Sequence, residues 1–198
     1  MTADDLTNRD QMTLFALLAV ARPATNRELR DIAGLELDAG TKARLKGYLQ
    51  STRRGTTTVH VITKAGRDWC LTAMSAGRPK GTKFPAGPLY AVLGGIGTYL
   101  VRTEQELEDL FQPDAESWIR SVYDELTVRR KGQYVRLADL REWLDDDVDL
   151  AAELDRMVDL PDVHLKAELD QRKLTIKDER AAVLIGSEPR HLLKIASP

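Results

Sequence analysis

Apolar residues in the first third of the chain recur at the three- and four-residue intervals of amphipathic helices. Residues 10–20, DQMTLFALLAV, start at a predicted Asp10 cap and end before a proline, which predicts a mostly buried first helix. A second helix is predicted after Thr25, where Glu28 completes a capping-box signature. Gly34 then stands where a left-handed C-terminal cap is usual. The pattern therefore predicts two well-bounded helices at the start of the chain.

A third apolar set falls on one helix face and comprises Leu45, Tyr48, Leu49 and Thr52. This spacing predicts an amphipathic helix that runs from Thr41 to about Arg53. The flank beside the apolar face carries three cations and an amide, namely Lys42, Lys46, Gln50 and Arg53. Such a flank suits a phosphate-lined groove, although any solvated helix also carries lysine and arginine. Both interpretations of the basic flank are open at this point.

A β-branched run follows the glycine turn at residues 53–55. Residues 56–62, TTTVHVI, have the composition of a strand. Thr63 is predicted to cap a further helix that extends through Leu71. The predicted order is therefore three helices, a turn, a strand and a return into a helix.

The end of this region resembles a known family. The stretch VHVITKAGRDWCL is similar to the strand-into-helix ending of many winged-helix regulators, in which a hydrophobic strand enters a Leu-Thr-x-x-Gly-Arg helix start. Ile62 replaces the usual leucine here, whereas Thr63, Gly66 and Arg67 match. The resemblance covers about residues 8–75 and is to the winged helix-turn-helix fold family, with no particular member identified.

The resemblance implies double-stranded DNA as the partner, because in this family the second helix of the helix-turn-helix enters the major groove and the wing contacts the backbone or minor groove. The groove-facing residues that it implies are Thr41, Lys42, Lys46, Gln50 and Arg53. The wing residues that it implies are Arg54, Thr56, Thr57 and Thr58.

Charge and composition divide the chain into two halves. The formal net charge is −2, but residues 1–85 hold 14 lysines and arginines against 8 acids, while residues 86–198 hold 15 against 23. A basic half can gain affinity for a polyanion by counterion release. Residues 77–87 have the glycine, proline and lysine content of a linker. We therefore expect a basic N-terminal domain at 1–76 and an acidic C-terminal region at 88–198.

The C-terminal region repeats the pattern of the first without its signature. Helices are predicted at 103–111 and 115–129, and strands at 163–166 and 191–195. With the helices between them, these elements resemble a second winged helix by pattern only. The helix in the recognition position is acidic, with Asp149, Glu153, Asp155 and Asp159 against Arg156. The predicted fold class is mainly α with short β hairpins (α+β), in tandem winged-helix domains.

The acidic helix suggests that the second domain serves self-association or a partner protein, because phosphate would be repelled from it. A solvated acidic helix without a partner explains the same residues. An acidic face could also cover the basic face of the first domain, which would be autoinhibition. All three interpretations follow from charge alone.

The histidines, the cysteine and the glycines of this sequence lack the spacing of known metal, disulfide or nucleotide-binding motifs. The histidines, His60, His164 and His191, have no Cys or His at ligand spacing, which favours structural strand positions over zinc ligands. Cys70 is the only cysteine, so an intramolecular disulfide is excluded. The glycines of residues 89–101 lack the spacing of a nucleotide-binding loop and predict close helix contacts or a helix break. We therefore expect no enzyme, no cofactor and no metal.

The same apolar stretch is too short and too rich in glycine to span a bilayer, and no signal-peptide pattern opens the chain. We expect a cytoplasmic protein that makes no contact with membranes.

Two hypotheses follow. The first is a DNA-binding transcriptional regulator, expected to be a homodimer because two-fold partners commonly read paired half-sites. The second is a non-catalytic tandem winged-helix interaction subunit of a chromosome-organising or phage-defence complex, which the acidic C-terminal half favours.

Overall fold

A computed structural model describes residues 6–79, 86–128, 132–145 and 148–196 of the chain. The fold is α+β, with short antiparallel sheets among helices. It forms two compact units, Met1–Pro113 (unit 1) and Asp114–Pro198 (unit 2), each with its own hydrophobic core.

Unit 1 contains six helices and three strands among its described residues. The helices are α1 Asn8–Val20, α2 Asn26–Ala33, α3 Ala39–Arg44, α4 Lys64–Ala76, α5 Ala86–Thr103 and α6 Leu107–Leu110. The strands are β1 Ala24–Thr25, β2 Leu49–Arg54 and β3 Thr57–Ile62. They pair antiparallel in the order β1-β3-β2, so the last strand lies in the middle of the sheet.

Side-chain caps fix the ends of these helices. Thr25 accepts a hydrogen bond from the Glu28 amide, and Gly34 ends α2 with a φ of 64°, so α2 is capped at the two predicted residues. The predicted capping box is only half formed, because the Glu28 carboxylate pairs with Arg22 instead. Thr63 caps α4 as predicted, although α4 continues five residues beyond the predicted end at Leu71. The predicted cap of α1 was wrong, because Thr7 is the cap and Asp10 is the third helical residue in a reciprocal capping box.

The predicted third helix was wrong in its second half. α3 ends at Arg44, and Leu49–Arg54 is the strand β2. Gly47 lies between them with a φ of 97°, a left-handed conformation that a right-handed helix cannot contain. β2 then pairs along its whole length with the β-branched strand β3. Tertiary pairing therefore overrides the helical spacing of Leu45 and Leu49, both of which still face the core.

The segment 77–87 is not the boundary between the units. α5 packs on α4, and a Cβ on Gly97 would lie 3.1 Å from the Cβ of Met74. The chain therefore stays in unit 1 until Pro113. The glycines of α5 permit this close approach and do not break the helix, whereas residues 80–85 of the predicted linker lie outside the described residues. The predicted helix at 103–111 is also shorter, because α5 ends at Thr103 and α6 begins after Glu106.

Unit 2 contains a three-stranded sheet and a separate two-stranded hairpin. Its described helices are α7 Ala115–Leu126, α8 Leu137–Arg141, α9 Leu150–Met157 and α10 Ile176–Ala181, with a 3-10 turn at Gln171–Lys173. Its described strands are β4 Val135–Arg136, β5 Val163–Lys166, β6 Val183–Ile185, β7 Glu188–Arg190 and β8 Leu192–Ile195. The predicted strand at 163–166 is confirmed, whereas the hairpin of β6 and β7 was not predicted.

The two units share one order of elements. Each has a helix, a strand, two helices and then two further sheet strands. In each three-stranded sheet the last strand lies between the first two, as β1-β3-β2 and β4-β8-β5. Unit 2 differs because residues 167–191 separate β5 from β8, whereas β2 and β3 are joined directly.

Candidate nucleic-acid interface

The hairpin of β2 and β3 carries two arginines, Arg53 and Arg54, and no acidic residue. Arg54 pairs with Thr57 across the two strands, so Gly55 and Thr56 form a two-residue turn at the tip. Gly55 has a φ of 58°, as hairpin turns of this length require. The predicted wing residues therefore do lie at the tip and the adjoining rungs of a hairpin.

Strand alternation distributes the predicted residues between two faces of this hairpin. Arg53 and Thr58 are cross-strand partners and share a face with His60. Gln50, Arg54 and Thr57 lie on the opposite face. Gln50, Arg53 and Thr56 are exposed, while Arg54, Thr57 and Thr58 are half-buried. The structure therefore does not bring Gln50 and Arg53 onto the single helical flank that was predicted.

The two lysines lie beside the hairpin, on α3 and in the turn after it. Lys42 is half-buried on α3, and its charge helps to lower the pKa of His60 on β3, which places it near that face of the hairpin. Lys46 is exposed two residues after the end of α3. Lys42 and Arg53 are thus both associated with the face of the hairpin that carries His60.

Thr41 is not a surface residue, contrary to the prediction. Its exposed fraction is 1%. Its amide donates to the Asp38 carboxylate at 2.7 Å, and its hydroxyl accepts from the Arg44 guanidinium at 3.2 Å. Thr41 therefore belongs to the N-terminal cap of α3 and to the support of Arg44, and its side chain is inaccessible to a groove.

An ion pair between the partly exposed Arg44 and the buried Asp10 anchors α3 to α1. Two guanidinium nitrogens of Arg44, Nε and Nη2, donate to the two carboxylate oxygens of Asp10, each at 2.9 Å. The Asp10 side chain is completely buried. Burial alone would raise the pKa of this carboxyl, but the hydrogen bonds from Arg44 and Thr7 outweigh it and hold the pKa below its ordinary value. No local pattern indicates this pair, because its members are 34 residues apart.

His60, on the hairpin strand β3, is fully buried. Its Nδ1 is 2.8 Å from the Ser51 hydroxyl oxygen. Its Nε2 has no hydrogen-bond partner among the described residues. Burial, with a smaller contribution from the charge of Lys42, lowers the pKa of His60 to about 4, so the imidazole is neutral at neutral pH.

Several other cations of unit 1 contact acidic side chains. Arg22 pairs with Glu28, Arg30 with Glu36, Lys64 with Asp68 and Arg67 with Glu108. In contrast, Lys42, Lys46 and Arg53 form no ion pair with any residue that the structure describes. Arg53 only donates to the Gly55 carbonyl within the hairpin turn, at 3.2 Å. Within the described part of unit 1, α3, the turn after it and the hairpin therefore each carry a cation without an ion-pair partner.

The corresponding helix of unit 2 has the opposite character. Asp149 caps α9 by accepting from the Ala152 amide. Asp155 and Asp159 are exposed, and Arg156 pairs with Glu153 at 3.2 Å. No cation offsets the charge of Asp155 or Asp159 within the described ion pairs. This helix therefore presents an acidic surface.

Features of a catalytic or metal centre are limited. Within the described ranges, no group of three or more His, Cys, Asp or Glu residues could hold a metal ion. Cys70 is buried, and burial raises the pKa of its thiol to about 12, which makes it a weak nucleophile. Among those same residues, no helix combines the length and apolarity needed to cross a bilayer.

Comparisons with known proteins identify no relative: the chain matches no protein-family model, no curated protein and no solved structure.

Proposed function

We propose that unit 1 is a winged helix-turn-helix module that binds double-stranded DNA, and that the protein is a transcriptional regulator without catalytic activity. The order α1-β1-α2-α3-β2-β3, with the last strand in the middle of the sheet, supports this assignment. In such modules the last two strands form the wing and the preceding helix faces the major groove. The resemblance of residues 59–71 to winged-helix regulators is independent of this topology.

The observation that carries the proposal is the charge of Lys42, Lys46 and Arg53 around α3 and the hairpin, which no described acidic residue pairs. Unpaired cations can exchange counterions for phosphates without first breaking an ion pair. α3 has only six residues, which is less than two helical turns. We therefore assign a larger share of the DNA contacts to the hairpin than it would make in a module with a long recognition helix.

Unit 2 is proposed as a second winged-helix domain that serves dimerisation or partner binding. Its sheet has the same strand order, which supports the tandem architecture. Residues 114–198 hold 14 lysines and arginines against 19 acids, and the acidic α9 occupies the position of α3. A phosphate backbone would be repelled from such a helix.

A second function is favoured by the inserted segment of unit 2. Leu169, Ile176 and Leu184 are 82%, 68% and 68% exposed, and all three lie between β5 and β8. A contiguous patch of exposed apolar side chains marks a protein contact, and this alternative requires the three residues to form one. Under this alternative, the protein is a non-catalytic interaction subunit, and unit 1 does not need to bind DNA.

The test is a salt titration of DNA binding, followed by the fluorescence anisotropy of a labelled mixed-sequence duplex. Lys46→Ala with Arg53→Ala should weaken binding and reduce the slope of log K against log salt by about 0.9 for each phosphate that the variant no longer neutralises. Lys64→Ala with Arg102→Ala is the matched control, because it removes two exposed cations from α4 and α5. This control should keep the slope of the wild type.

Equal slopes in the two double variants would show that only the total charge matters and would overturn the assigned surface. A wild-type protein that does not bind the duplex at low salt but co-purifies with another polypeptide would support the interaction subunit instead.

A further inference from the structure

The three-stranded sheet of unit 2 turns one face away from the core. The inward side chains, which belong to the hydrophobic core, are Val135, Val163, Leu193 and Ile195. Because side chains alternate along a strand, the residues next to them lie on the opposite face. This outer sheet face consists of Arg136 on β4, His164 and Lys166 on β5, and Leu192 and Lys194 on β8. It therefore carries three cations and no acidic residue.

The strand register brings these cations together from distant parts of the chain. Lys166 and Arg136 lie opposite Leu192, one on each side of the central strand. Lys194, two residues along that strand, is directly opposite His164. Lys194 is therefore a diagonal neighbour of Lys166 and of Arg136, about 7–8 Å from each. Lys166 and Lys194 form no ion pair with any residue that the structure describes, so both can pair with an external anion.

Two planar side chains accompany the cations. Tyr134 directly precedes β4 and is 43% exposed. The Lys166 ammonium lies 5.8 Å from the centroid of its ring, which places the ring at the outer sheet face. His164 is exposed on the same face. Tyrosine and histidine rings are surfaces on which the unstacked bases of a single strand can stack.

Unit 2 is acidic as a whole, but acids beside the outer sheet face are compensated. Asp178 is buried and pairs with Arg136. Asp162, just before β5, pairs with Arg120 through two hydrogen bonds. Glu168 lies beyond the end of β5, and its carboxylate accepts from a backbone amide. The acidic α9 is a separate element, so its charge does not define the character of the sheet.

We propose that the outer sheet face of unit 2 binds single-stranded nucleic acid. Phosphates pair with Lys166 and Lys194, and a base stacks on the ring of Tyr134. A duplex would not fit this face equally well, because its bases are stacked in its interior and cannot reach the ring. The assignment goes beyond the proposed function, in which unit 1 alone binds nucleic acid and binds it as a duplex.

The first test is a salt titration of the full chain with a labelled oligothymidine, followed by fluorescence anisotropy. Every protein in it carries Lys46→Ala and Arg53→Ala, which removes the surface proposed for duplex DNA. Adding Lys166→Ala with Lys194→Ala should weaken binding at least tenfold. It should also reduce the slope of log K against log salt by about 1.4, at about 0.7 for each of two phosphates.

The matched control adds Arg141→Ala with Arg180→Ala instead. Both arginines are exposed cations of unit 2, on α8 and α10, and neither forms an ion pair with a described residue. The control removes the same charge away from the sheet and should keep the slope of the background protein. Thermal melting monitored by circular dichroism checks that each variant is folded.

The second test locates the bases by photo-crosslinking of the wild type to an oligonucleotide that contains 5-iododeoxyuridine. Mass spectrometry should map the crosslink to Tyr134, and Tyr134→Ala should abolish it and weaken binding at least fivefold. Tyr99→Ala is the control, because Tyr99 is 44% exposed and lies 6.0 Å from the Arg102 guanidinium, but on a helix of unit 1. It should leave the crosslink and the affinity unchanged.

Equal slopes in the two charge variants, or crosslinks confined to unit 1 peptides, would overturn the proposal. A background protein that does not bind oligothymidine at low salt would overturn it as well. Polyaspartate that competes as strongly as oligothymidine would show that the face accepts any polyanion and would overturn the nucleic-acid class. Because the background lacks Lys46 and Arg53, these outcomes are independent of the duplex-binding test.

Discussion

Unit 1 and unit 2 use the same strand order for different purposes. In unit 1 a two-residue turn joins the last two sheet strands, and the resulting hairpin carries exposed cations. In unit 2 the corresponding strands are separated by residues 167–191, which form a 3-10 turn, α10 and a separate hairpin. The helix before them is basic in unit 1 and acidic in unit 2. One arrangement of elements is thus compatible with opposite surface charge, because the core needs only the apolar positions.

Both cores also contain the same kind of buried polar contact. Each contains a buried aspartate at the third position of a capping box, Asp10 in α1 and Asp178 in α10. Each aspartate also accepts from an arginine on another element, Arg44 and Arg136 respectively. The units therefore differ at their surfaces more than in the way they are held together.

The largest expected effect is a loss of stability in unit 1 alone, caused by a substitution at Gly66. A Cβ on Gly66 would lie 2.2 Å from the Tyr48 carbonyl oxygen and 2.7 Å from Ile62 Cγ1, and backbone cannot move aside cheaply. Gly66→Ala should therefore destabilise unit 1 by about 3 kcal/mol. Hydrogen exchange measured by mass spectrometry should show faster exchange in unit 1 peptides and unchanged exchange in unit 2.

The control for this variant is Gly95→Ala on α5, where a Cβ would meet nothing within 4 Å. Alanine should stabilise that helix by about 1 kcal/mol. Destabilisation of similar size in both glycine variants would contradict the close contact at Gly66.

The next effect is a pH dependence confined to unit 1. The pKa of His60 is about 4 in the folded protein and 6.5 in an unfolded chain, so the unfolded state binds a proton that the folded state rejects. Neutral His60 therefore leaves the free energy of unfolding at its full value above pH 6.5. As the pH falls towards 4, the free energy of unfolding decreases by about 3 kcal/mol.

Urea unfolding at pH 7, 5 and 4 measures this loss in the wild type and in His60→Asn. Asparagine does not titrate, so the variant should lose less stability than the wild type over this interval. Parallel pH curves for the two proteins would show that His60 does not carry the dependence.

The shared aspartates allow a direct comparison of the two cores. Asp10→Asn and Asp178→Asn should each destabilise their own unit by about 2 kcal/mol, because each replaces charge-assisted hydrogen bonds with neutral ones. Thermal unfolding with hydrogen exchange assigns each loss to a unit. Loss of protection in the other unit would contradict the independence of the two cores.

Both aspartates also have a pKa held below the ordinary 3.8, although burial works against this shift. Their stabilising contribution is present above that value and disappears as the pH falls through the lower folded-state pKa. The wild-type advantage over each asparagine variant should therefore shrink only in strong acid.

The smallest expected effect concerns the hairpin cations. Lys46→Ala with Arg53→Ala should change the free energy of unfolding by less than about 0.5 kcal/mol, because both side chains are exposed and form no ion pair with described residues. Urea unfolding measures this change. A destabilisation well above this value would mean that these cations support the fold, which would weaken their assignment to DNA.

Local signals predicted the elements whose ends are fixed by neighbouring residues. The Thr25 and Gly34 caps, the Thr63 cap and the strand at 163–166 depend on side chains within a few positions, and all are confirmed. The end of α3 could not be obtained in this way. Leu45 and Leu49 fit a helix by spacing, and the choice of a strand depends on pairing with β3, where Leu49 lies opposite Ile62.

The candidate site shows the same limit. Composition identified the basic stretch, whereas the lack of described ion pairs at Lys42, Lys46 and Arg53 became visible only in the structure. It did not show that Thr41 is buried, because that depends on Arg44 and on the distant Asp10. Contacts between residues far apart in the chain decide which side chains of a basic stretch remain available to a partner.

The close contact between the Tyr48 backbone and Gly66 also fixes the orientation of the hairpin relative to α4. From Leu49 to Arg54 the strand β2 extends about 17 Å. A tilt of about 5° at its base would move the tip by about 1.5 Å, enough to lengthen a hydrogen bond beyond its useful range. Because Gly66 has no Cβ, the base of β2 can lie close to α4, and this contact limits how far Arg53 moves near the tip of the hairpin.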